Sequence, residues 1–390
     1  MATYRSVLDR RRGSPHAGAL AHIDSITTAG EDAVDFRLSR PDPTFPSRLT
    51  LGIVPAAAAG SNRLARRPHG SGSFEFVRWR DDGGLLLRRR ADAQLIAIAP
   101  VADPTMRVLK LLRGEAQLLQ NDLPVELYAH LMAQPDIHVS QRPGTTFAYL
   151  GFNLADPVLA NRDVRAAIAH ALDRQAIIHH LFGGLAEEAG AILRPDHWAG
   201  APGLRGFAYD PGLSREHLAR AGYSRERPLE LSYKTSTDPF RLRIAHVFQD
   251  QLAAVGIRLK ISSYDWGTFF GDIKAGRFQL YSLAWVGVNT PDILRYAFHS
   301  RSRPPGGANR GRYDSERVDR LIDAAEQADD AAAQALYVAA QQQIHDDIVY
   351  VPLWYEANVA ASHDVAGFAP GHDGNYLALN TMRHADATRP

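Results

Sequence analysis

A strand–helix–strand pattern in the second half of the chain constrains the fold more than any other feature of the sequence. Apolar and polar residues alternate at 229–234, apolar residues recur at helical spacing at 240–255, and alternation returns at 257–262. Asp238-Pro239 supplies a helix cap and a first-turn proline. The connections are short enough for a right-handed crossover, so the two strands are predicted to be parallel neighbours in one sheet.

Further segments extend this prediction to an α/β fold. A helix at about 266–275 leads to a third strand at 278–284. A long amphipathic helix is predicted at 161–182, with Asn161 as its cap. Residues 74–89 read as a β-hairpin around an Asp-Gly-Gly turn.

The carboxyl ends of the three predicted strands carry polar and aromatic side chains. Ligands collect beyond the carboxyl ends of strands in open parallel sheets, so we expect a binding site there. The candidate ligand-binding residues at these ends are Ser236 and Thr237 after the first strand, Tyr264, Asp265 and Trp266 after the second, and Trp285 and Asn289 after the third. Hydroxyls, one carboxylate and two indole rings suit a polar ligand with an apolar body.

Each of these residues also has a structural interpretation. Asp265 either anchors a cationic group of the ligand or simply caps the helix at 266–275. Trp266 and Trp285 either contact ligand or belong to the core, and Ser236 and Thr237 either bind or only form a turn. The sequence leaves these alternatives open.

Composition and motifs exclude several functional classes. With 44 basic and 43 acidic residues, the chain lacks the basic excess of a general nucleic-acid binder. The absence of cysteine excludes disulfides and thiolate metal sites. No dinucleotide or phosphate-binding loop, nucleophile elbow, metal-ligand spacing or buried carboxylate pair stands out. We therefore predict a protein that is not an enzyme and that has no cofactor and no metal site.

Two adjacent motifs carry a resemblance to a known family. Thr146 to Asn153 reads Thr-Phe-Ala-Tyr-Leu-Gly-Phe-Asn, and Asp163 to Arg174 carries Val-Arg-Ala-Ala and Ala-Leu-Asp-Arg. This combination resembles the family 5 solute-binding proteins of ABC importers, which capture dipeptides, oligopeptides, nickel complexes and related solutes. Supporting matches extend the resemblance over roughly residues 15–380.

The resemblance implies a type II periplasmic-binding-protein fold, in which two lobes close over the solute by a hinge. Segments crossing between the lobes are expected near Pro143–Tyr149 and Tyr350–Tyr355. Tyr149 and Trp354 from these segments, and Asn153 from the end of the Thr146–Asn153 motif, join the candidate ligand-binding residues. The implied partners are a peptide or small polar solute and the membrane subunits of an importer, with no nucleic acid and with a monomeric binding protein.

The resemblance also implies a domain division. We expect a remnant of a small accessory domain at 1–68, part of the first lobe at 69–146, the second lobe at 147–351, and a return to the first lobe at 352–390. The start resembles the middle of the family's third domain, which favours a truncated product, a misassigned start or a reduced paralogue. The family implies a periplasmic location, whereas the first 18 residues show no export signal and by themselves suggest a cytoplasmic one.

One departure from the family pattern bears on the ligand. Peptide-binding members carry an Asp in a Trp-x-x-Asp-Tyr context that holds the amino terminus of the peptide, and Val288 stands at that position here. Either the ligand has no free amine, or Asp265 or Asp292 substitutes. The leading prediction is solute capture for an ABC importer; the alternatives are a cytoplasmic ligand-sensing domain of the same fold and a non-functional paralogue.

Overall fold

A computed structural model of the protein describes residues 1–14, 16–42, 45–61 and 63–385. Contacts divide the chain into two compact units, Met1–Arg107 and Val108–Pro390. The four-part division expected from the sequence stays a prediction. Within the described ranges, no helix combines the length and the apolar character that crossing a membrane requires.

The first unit contains two small antiparallel sheets. Its strands are β1 (Ile23–Ala29), β2 (Ala33–Leu38), β3 (Phe74–Trp79), β4 (Leu85–Arg89) and β5 (Leu95–Ile98), and its helices are α1 (Ala2–Leu8) and α2 (Arg63–Arg66). Strand β1 pairs with β2, and β4 lies between β3 and β5. The predicted hairpin at 74–89 is confirmed: Gly83 has a φ of 79° and Asp82 Oδ1 accepts a hydrogen bond from Gly84 N at 2.8 Å.

The second unit is built on one mixed sheet. Its strands are β6 (Leu118–Gln120), β7 (Ile137–Phe152), β8 (Ala186–Glu188), β9 (Leu229–Ser236), β10 (Ile257–Tyr264), β11 (Leu280–Trp285), β12 (Tyr350–His363), β13 (Val365–Ala366) and β14 (Arg383–His384). In the described residues, seven of them form a sheet in the order β10-β9-β11-β7-β12-β6, with β8 on β12. The short strands β13 and β14 pair separately.

Helices cover both faces of this sheet. They are α3 (Pro104–Leu112), which spans the boundary between the units, α4 (Val125–Met132), α5 (Arg162–Ala171), α6 (Arg174–Phe182), α7 (Pro211–Arg220), α8 (Pro239–Ala253), α9 (Trp266–Ala275), α10 (Asp292–Phe298), α11 (Glu316–Ala325) and α12 (Asp330–Asp346). Two apolar clusters result, one on each face of the sheet.

The predicted strand–helix–strand unit is confirmed. Strands β9 and β10 are parallel and in continuous register from Leu229 opposite Ile257 to Ser236 opposite Tyr264. The connecting helix α8 begins where Asp238 accepts a hydrogen bond from Arg241 N. Over residues 229–234 of β9, buried residues alternate with less buried ones and pack under α8, so the period-2 pattern and the helical stripe bury one common core.

The long helix predicted at 161–182 is two helices, α5 and α6. Asn161 caps the first as predicted, accepting a hydrogen bond from Asp163 N at 2.9 Å. The break falls at Leu172, whose backbone is extended. Asp173 then accepts a hydrogen bond from Ala176 N at 2.9 Å and starts α6. A side chain that accepts a hydrogen bond from a backbone N–H group favours the start of a new helix over the continuation of the preceding one. The spacing of apolar residues does not reveal such a break.

The two longest strands, β7 and β12, run antiparallel through the middle of the sheet. Alternate residues of β7 enter different cores. Ala148, Leu150 and Phe152 face the cluster that contains α5 and α8, and Phe147 and Tyr149 face the cluster that contains α9 to α12. The motif that runs from Thr146 to Asn153 therefore forms part of both cores.

Candidate functional site

The carboxyl ends of the three parallel strands meet at one edge of the sheet, as predicted. Strand β9 lies between β10 and β11 and is parallel to both. Thr237 N donates a hydrogen bond to Tyr264 O at 3.0 Å, which joins the first two strand ends directly. The residues that follow β9, β10 and β11 are therefore neighbours in space.

The side chains at this edge differ in exposure. Trp266 is 58% exposed, and its ring stacks on Phe270 with centroids 5.4 Å apart and an interplanar angle of 7°. Thr237 is exposed, whereas Ser236 is buried and its Oγ accepts from Asp238 N at 3.4 Å. Tyr264 is half-buried, with the Lys234 ammonium 5.2 Å from its ring centre. Trp266, Thr237 and Tyr264 thus offer surface to a ligand, and Ser236 shapes the turn.

Asp265 serves as the N-cap of α9. Its Oδ1 accepts from Thr268 N at 3.1 Å. Hydrogen bonds from the side chain and the backbone N–H of Thr268 lower the pKa of the Asp265 carboxyl. The sequence leaves two interpretations of Asp265 open, a helix cap and a ligand anchor. This geometry supports the helix cap.

A second group of aromatic residues lies on the face of the sheet that packs against α9 to α12. The antiparallel pairing of β7 and β11 puts Tyr149 and Trp285 on this face, with nearly parallel rings whose centroids are 6.4 Å apart. The hydroxyls of Tyr149 and Tyr281 are 3.3 Å apart. Tyr281 lies over Gly151, where any Cβ would be 2.5 Å from its ring, so this approach requires glycine.

Arg310 enters this aromatic group from the loop between α10 and α11. Its Nη1 donates to Tyr149 Oη at 3.0 Å. The centre of its guanidinium lies 4.5 Å from the Trp285 ring centre and 5.2 Å from that of Phe270. Burial by itself lowers the pKa of this guanidinium, but the hydroxyls of Tyr149 and Tyr281 outweigh burial and raise it. A small cavity of about 30 Å³ lies beside these residues.

Burial also dominates the titration of the neighbouring phenol. The pKa of Tyr281 is raised well above its usual value, first by burial and then by the adjacent Tyr149. The Tyr281 phenol therefore keeps its proton, and Arg310 brings a positive charge to the aromatic group.

Asn289 lies in a separate, more polar pocket. Its Nδ2 donates to Asp373 Oδ2 at 3.1 Å, and its Oδ1 accepts from Thr145 Oγ1 at 3.1 Å. The pocket has a volume of about 470 Å³ and includes Arg142 and His372. Asn289 is thus exposed to solvent but stands apart from the aromatic group around Tyr149.

Val288, where the family resemblance led us to expect an Asp, packs into the core. It is 8% exposed and belongs to the apolar cluster that contains Tyr149. Its backbone N–H donates to Thr145 O at 3.1 Å. An apolar side chain therefore fits this position structurally.

Two candidate residues need correction. Asn153 donates both amide hydrogens to backbone carbonyls, Gly276 O at 3.2 Å and Phe278 O at 2.9 Å, so its side chain ties β7 to a neighbouring turn. Trp354 is 1% exposed and packs against Phe182 on the opposite face of the sheet from Tyr149. A bulge between Pro352 and Trp354 turns this indole into the core. We leave both side chains out of the site.

Sequence reasoning missed Tyr281 and Arg310. Tyr281 and Trp285 lie four residues apart in one strand, and this period-2 spacing was a signal that both face the same side. No comparable signal exists for Arg310, because it lies in a loop without periodicity. Its position depends on the path of that loop.

Known proteins share this architecture. DppA from Helicobacter pylori, an ABC transporter-associated periplasmic binding protein solved with the peptide STSA, superposes with a TM-score of 0.85 at 23% identity over 98% of this chain and 80% of that protein. NikZ from Campylobacter jejuni, solved with Ni(L-His), gives a TM-score of 0.84 at 20% identity over 97% of this chain and 82% of that protein. In sequence, di/tripeptide-binding protein 2 of Pseudomonas aeruginosa is 27% identical over 365 residues, 87% of this chain and 68% of the relative.

The fold is therefore that of a type II periplasmic binding protein, as the sequence predicted. Residues 1–304 match the family described as bacterial extracellular solute-binding proteins, family 5, middle. Because this match covers most of the 390 residues, the chain belongs to that family of solute-binding proteins.

Proposed function

We propose that this protein captures a peptide-like solute and presents it to the membrane subunits of an ABC importer. Support comes from the family, from relatives that are named as peptide-binding proteins, and from the exposed aromatic edge at the strand ends. The role is capture without chemical conversion, in an extracytoplasmic compartment, by a monomer.

The observation that carries this proposal is the exposure of Trp266. The Trp266 indole stacks on Phe270 at the carboxyl end of a parallel strand, and it is still 58% exposed. Rigid aromatic surface with few rotatable bonds suits contact with the apolar body of a ligand. Thr237 and Tyr264 add hydroxyl groups beside it, which suit the backbone amides of a peptide.

Calorimetric titration and thermal shift with a panel of short peptides test this function. The panel contains Ala-Phe, Met-Leu, Ala-Ala-Ala and a free amino acid mixture as a non-peptide reference. We expect at least one peptide to bind and to raise Tm, since a ligand that binds only the folded state stabilises it. Absence of binding across the panel would reject peptide capture.

The variant Trp266→Ala tests the site. Loss of an aromatic anchor costs roughly 1–2 kcal/mol, or about a 5- to 30-fold rise in Kd for a bound peptide. The matched control is Trp79→Ala, which removes an indole that is 47% exposed in the other compact unit. Equal loss in both variants would argue against a specific role for Trp266.

A further inference from the structure

The positive charge of the first compact unit is concentrated in one short segment. Met1–Arg107 contains 16 arginines, no lysine and 11 acidic residues, whereas Val108–Pro390 contains 28 basic and 32 acidic residues. Residues 63–90 hold eight of those 16 arginines and only three of the 11 acids, so the rest of the first unit is balanced. The near-neutral composition of the whole chain therefore hides a local excess of positive charge.

Three arginines of this segment are exposed close to an exposed tryptophan. Trp79 Nε1 donates a hydrogen bond to Arg66 O at 2.7 Å, which ties the end of α2 to β3. Arg67 follows this contact in the chain, and Arg78 precedes Trp79. In the described part of the chain, the side chains of these three arginines form no ion pair and no hydrogen bond. Their charges are therefore available to an external anion.

Apolar side chains form a row across the same end of the three-stranded sheet. The pairing register sets Trp79 opposite Leu85, and Leu85 opposite Ile98, so the row crosses β3, β4 and β5. Trp79 and Ile98 are each 47% exposed, and Phe76 lies beside Trp79 with ring centroids 5.6 Å apart. Because neighbouring strands are about 4.8 Å apart, the row extends over roughly 10 Å. The sheet thus ends in a partly exposed apolar row next to unpaired arginines.

This combination of arginines and exposed apolar side chains suits the surface of an anionic lipid bilayer. Guanidinium groups bind the phosphate oxygens of headgroups, and indole rings accumulate at the depth of those headgroups. Aliphatic side chains beside them enter the boundary between headgroups and acyl chains. A nucleic acid also attracts arginines, but its surface offers no apolar layer for Leu85 and Ile98. A lipid surface accounts for both the charge and the apolar row.

We propose that the end of the three-stranded sheet, formed by Arg66, Arg67, Arg78, Trp79 and Ile98, docks on the anionic phospholipids of a membrane. The arginines bind phosphate groups by charge-assisted hydrogen bonds, and the apolar row enters the headgroup layer. The contact is peripheral and reversible, because a few charges and one short row bury far less apolar area than a membrane-spanning helix does. This surface lies in the first unit and acts independently of solute capture.

Sedimentation with vesicles tests the lipid partner. The full chain is mixed with vesicles of phosphatidylcholine alone and with vesicles that contain about one-third phosphatidylglycerol, at low salt and at about 0.5 M NaCl. We expect partitioning to be at least about 10-fold stronger into the anionic vesicles, and the added salt to reduce it by about 10-fold, because salt screens exposed charges. Equal partitioning into both kinds of vesicle, or none, would overturn the proposal. Binding to a single-stranded RNA without binding to vesicles would overturn it too.

A double variant tests the arginines. Arg66→Gln with Arg67→Gln is expected to weaken partitioning into anionic vesicles by about 10- to 30-fold, since each arginine near an anionic surface contributes about 1 kcal/mol. The matched control is Arg225→Gln with Arg317→Gln, which makes the same change in net charge at two exposed arginines of the second unit. An equal loss in both double variants would reject a local docking surface.

Trp79→Ala tests the apolar row. We expect it to weaken partitioning by about 5- to 30-fold while the salt dependence remains, because the arginines are still present. Trp266→Ala is the matched control, since it removes an exposed indole from the second unit. Circular dichroism verifies folding, and Ile98→Ser serves as the second test of the row if Trp79→Ala does not fold. Unchanged partitioning in the folded variants would reject the apolar contact. Peptide titration of the same variants should match the wild type, so that failure of solute capture and failure of membrane docking are distinguished.

Discussion

The guanidinium of Arg310 lies 4.5 Å from the centre of the Trp285 ring, although the two residues belong to different elements and lie 25 positions apart in the chain. Trp285 ends a strand whose side chains are positioned by the sheet. Arg310 approaches from a loop and completes the group by donating to Tyr149. The sequence predicts Trp285 as a ligand-binding residue, whereas it gives no such prediction for Arg310.

Tyr149→Phe tests whether this contact stabilises the fold. The change keeps the aromatic ring but removes the hydroxyl oxygen that accepts a hydrogen bond from Arg310 Nη1. The partly buried Arg310 guanidinium therefore loses this partner. We expect the free energy of unfolding to fall by about 1–3 kcal/mol. Urea denaturation measures it, with Tyr209→Phe as the control, because Tyr209 is 48% exposed. An unchanged midpoint would show that the hydroxyl contributes no stability.

Arg165→Lys tests the buried arginine of the family motif. The Arg165 guanidinium donates to four backbone carbonyls at 2.7–2.9 Å, those of Leu159, Ala160, Asp347 and Ile348. A lysine ammonium cannot reproduce this fork, so we expect a loss of about 2–4 kcal/mol in the free energy of unfolding. Arg162→Lys is the control, since Arg162 donates to one carbonyl on the surface. Similar losses in both variants would contradict the prediction.

Two substitutions of Asp265 distinguish its role as a helix cap from a role in ligand binding. Asn caps helices as well as Asp does, so Asp265→Asn is expected to leave Tm unchanged, whereas Asp265→Ala lowers it. Because the carboxylate is engaged by Thr268, we also expect Asp265→Asn to bind Lys-Ala and Ala-Ala with the same affinity as the wild type. A selective loss of Lys-Ala binding in Asp265→Asn would restore the cation-anchoring interpretation.

The lowered pKa of His299 predicts how the free energy of unfolding changes as the pH falls. Its pKa is lowered from about 6.5, first by burial and then by Arg295, while Asp319 and Asp323 oppose the shift. A lowered folded-state pKa means that the unfolded chain binds the proton more tightly. Its contribution to stability is therefore complete above about pH 6.5 and is lost as the pH falls through 6.5 toward the folded-state pKa.

Urea denaturation between pH 8 and pH 5 measures this dependence. His299→Gln should lose less stability on acidification than the wild type does, because the titrating group is gone. The control His180→Gln replaces an exposed histidine and should follow the wild type. Identical pH profiles for His299→Gln and the wild type would exclude His299 as the source.

Part of the site could be predicted because its signals are local. Alternation along β9, β10 and β11 identifies three strands, and short connections impose their parallel order. That order brings Trp266 and Trp285 to one edge without any knowledge of the fold. The helix at 161–182 shows the limit of the same reasoning, since a single capping side chain at Asp173 divides it.

By itself, the sequence determined the family, the strand–helix–strand core and the edge at which the strand ends meet, because periodicity, caps and motifs act over a few residues. Only the tertiary structure decided which of the candidate side chains are exposed and which are buried. A bulge in β12 turns Trp354 into the core, and the path of a loop brings Arg310 to Tyr149, 161 positions away. Register shifts and loop paths are set by packing between distant segments, and local patterns carry no information about them.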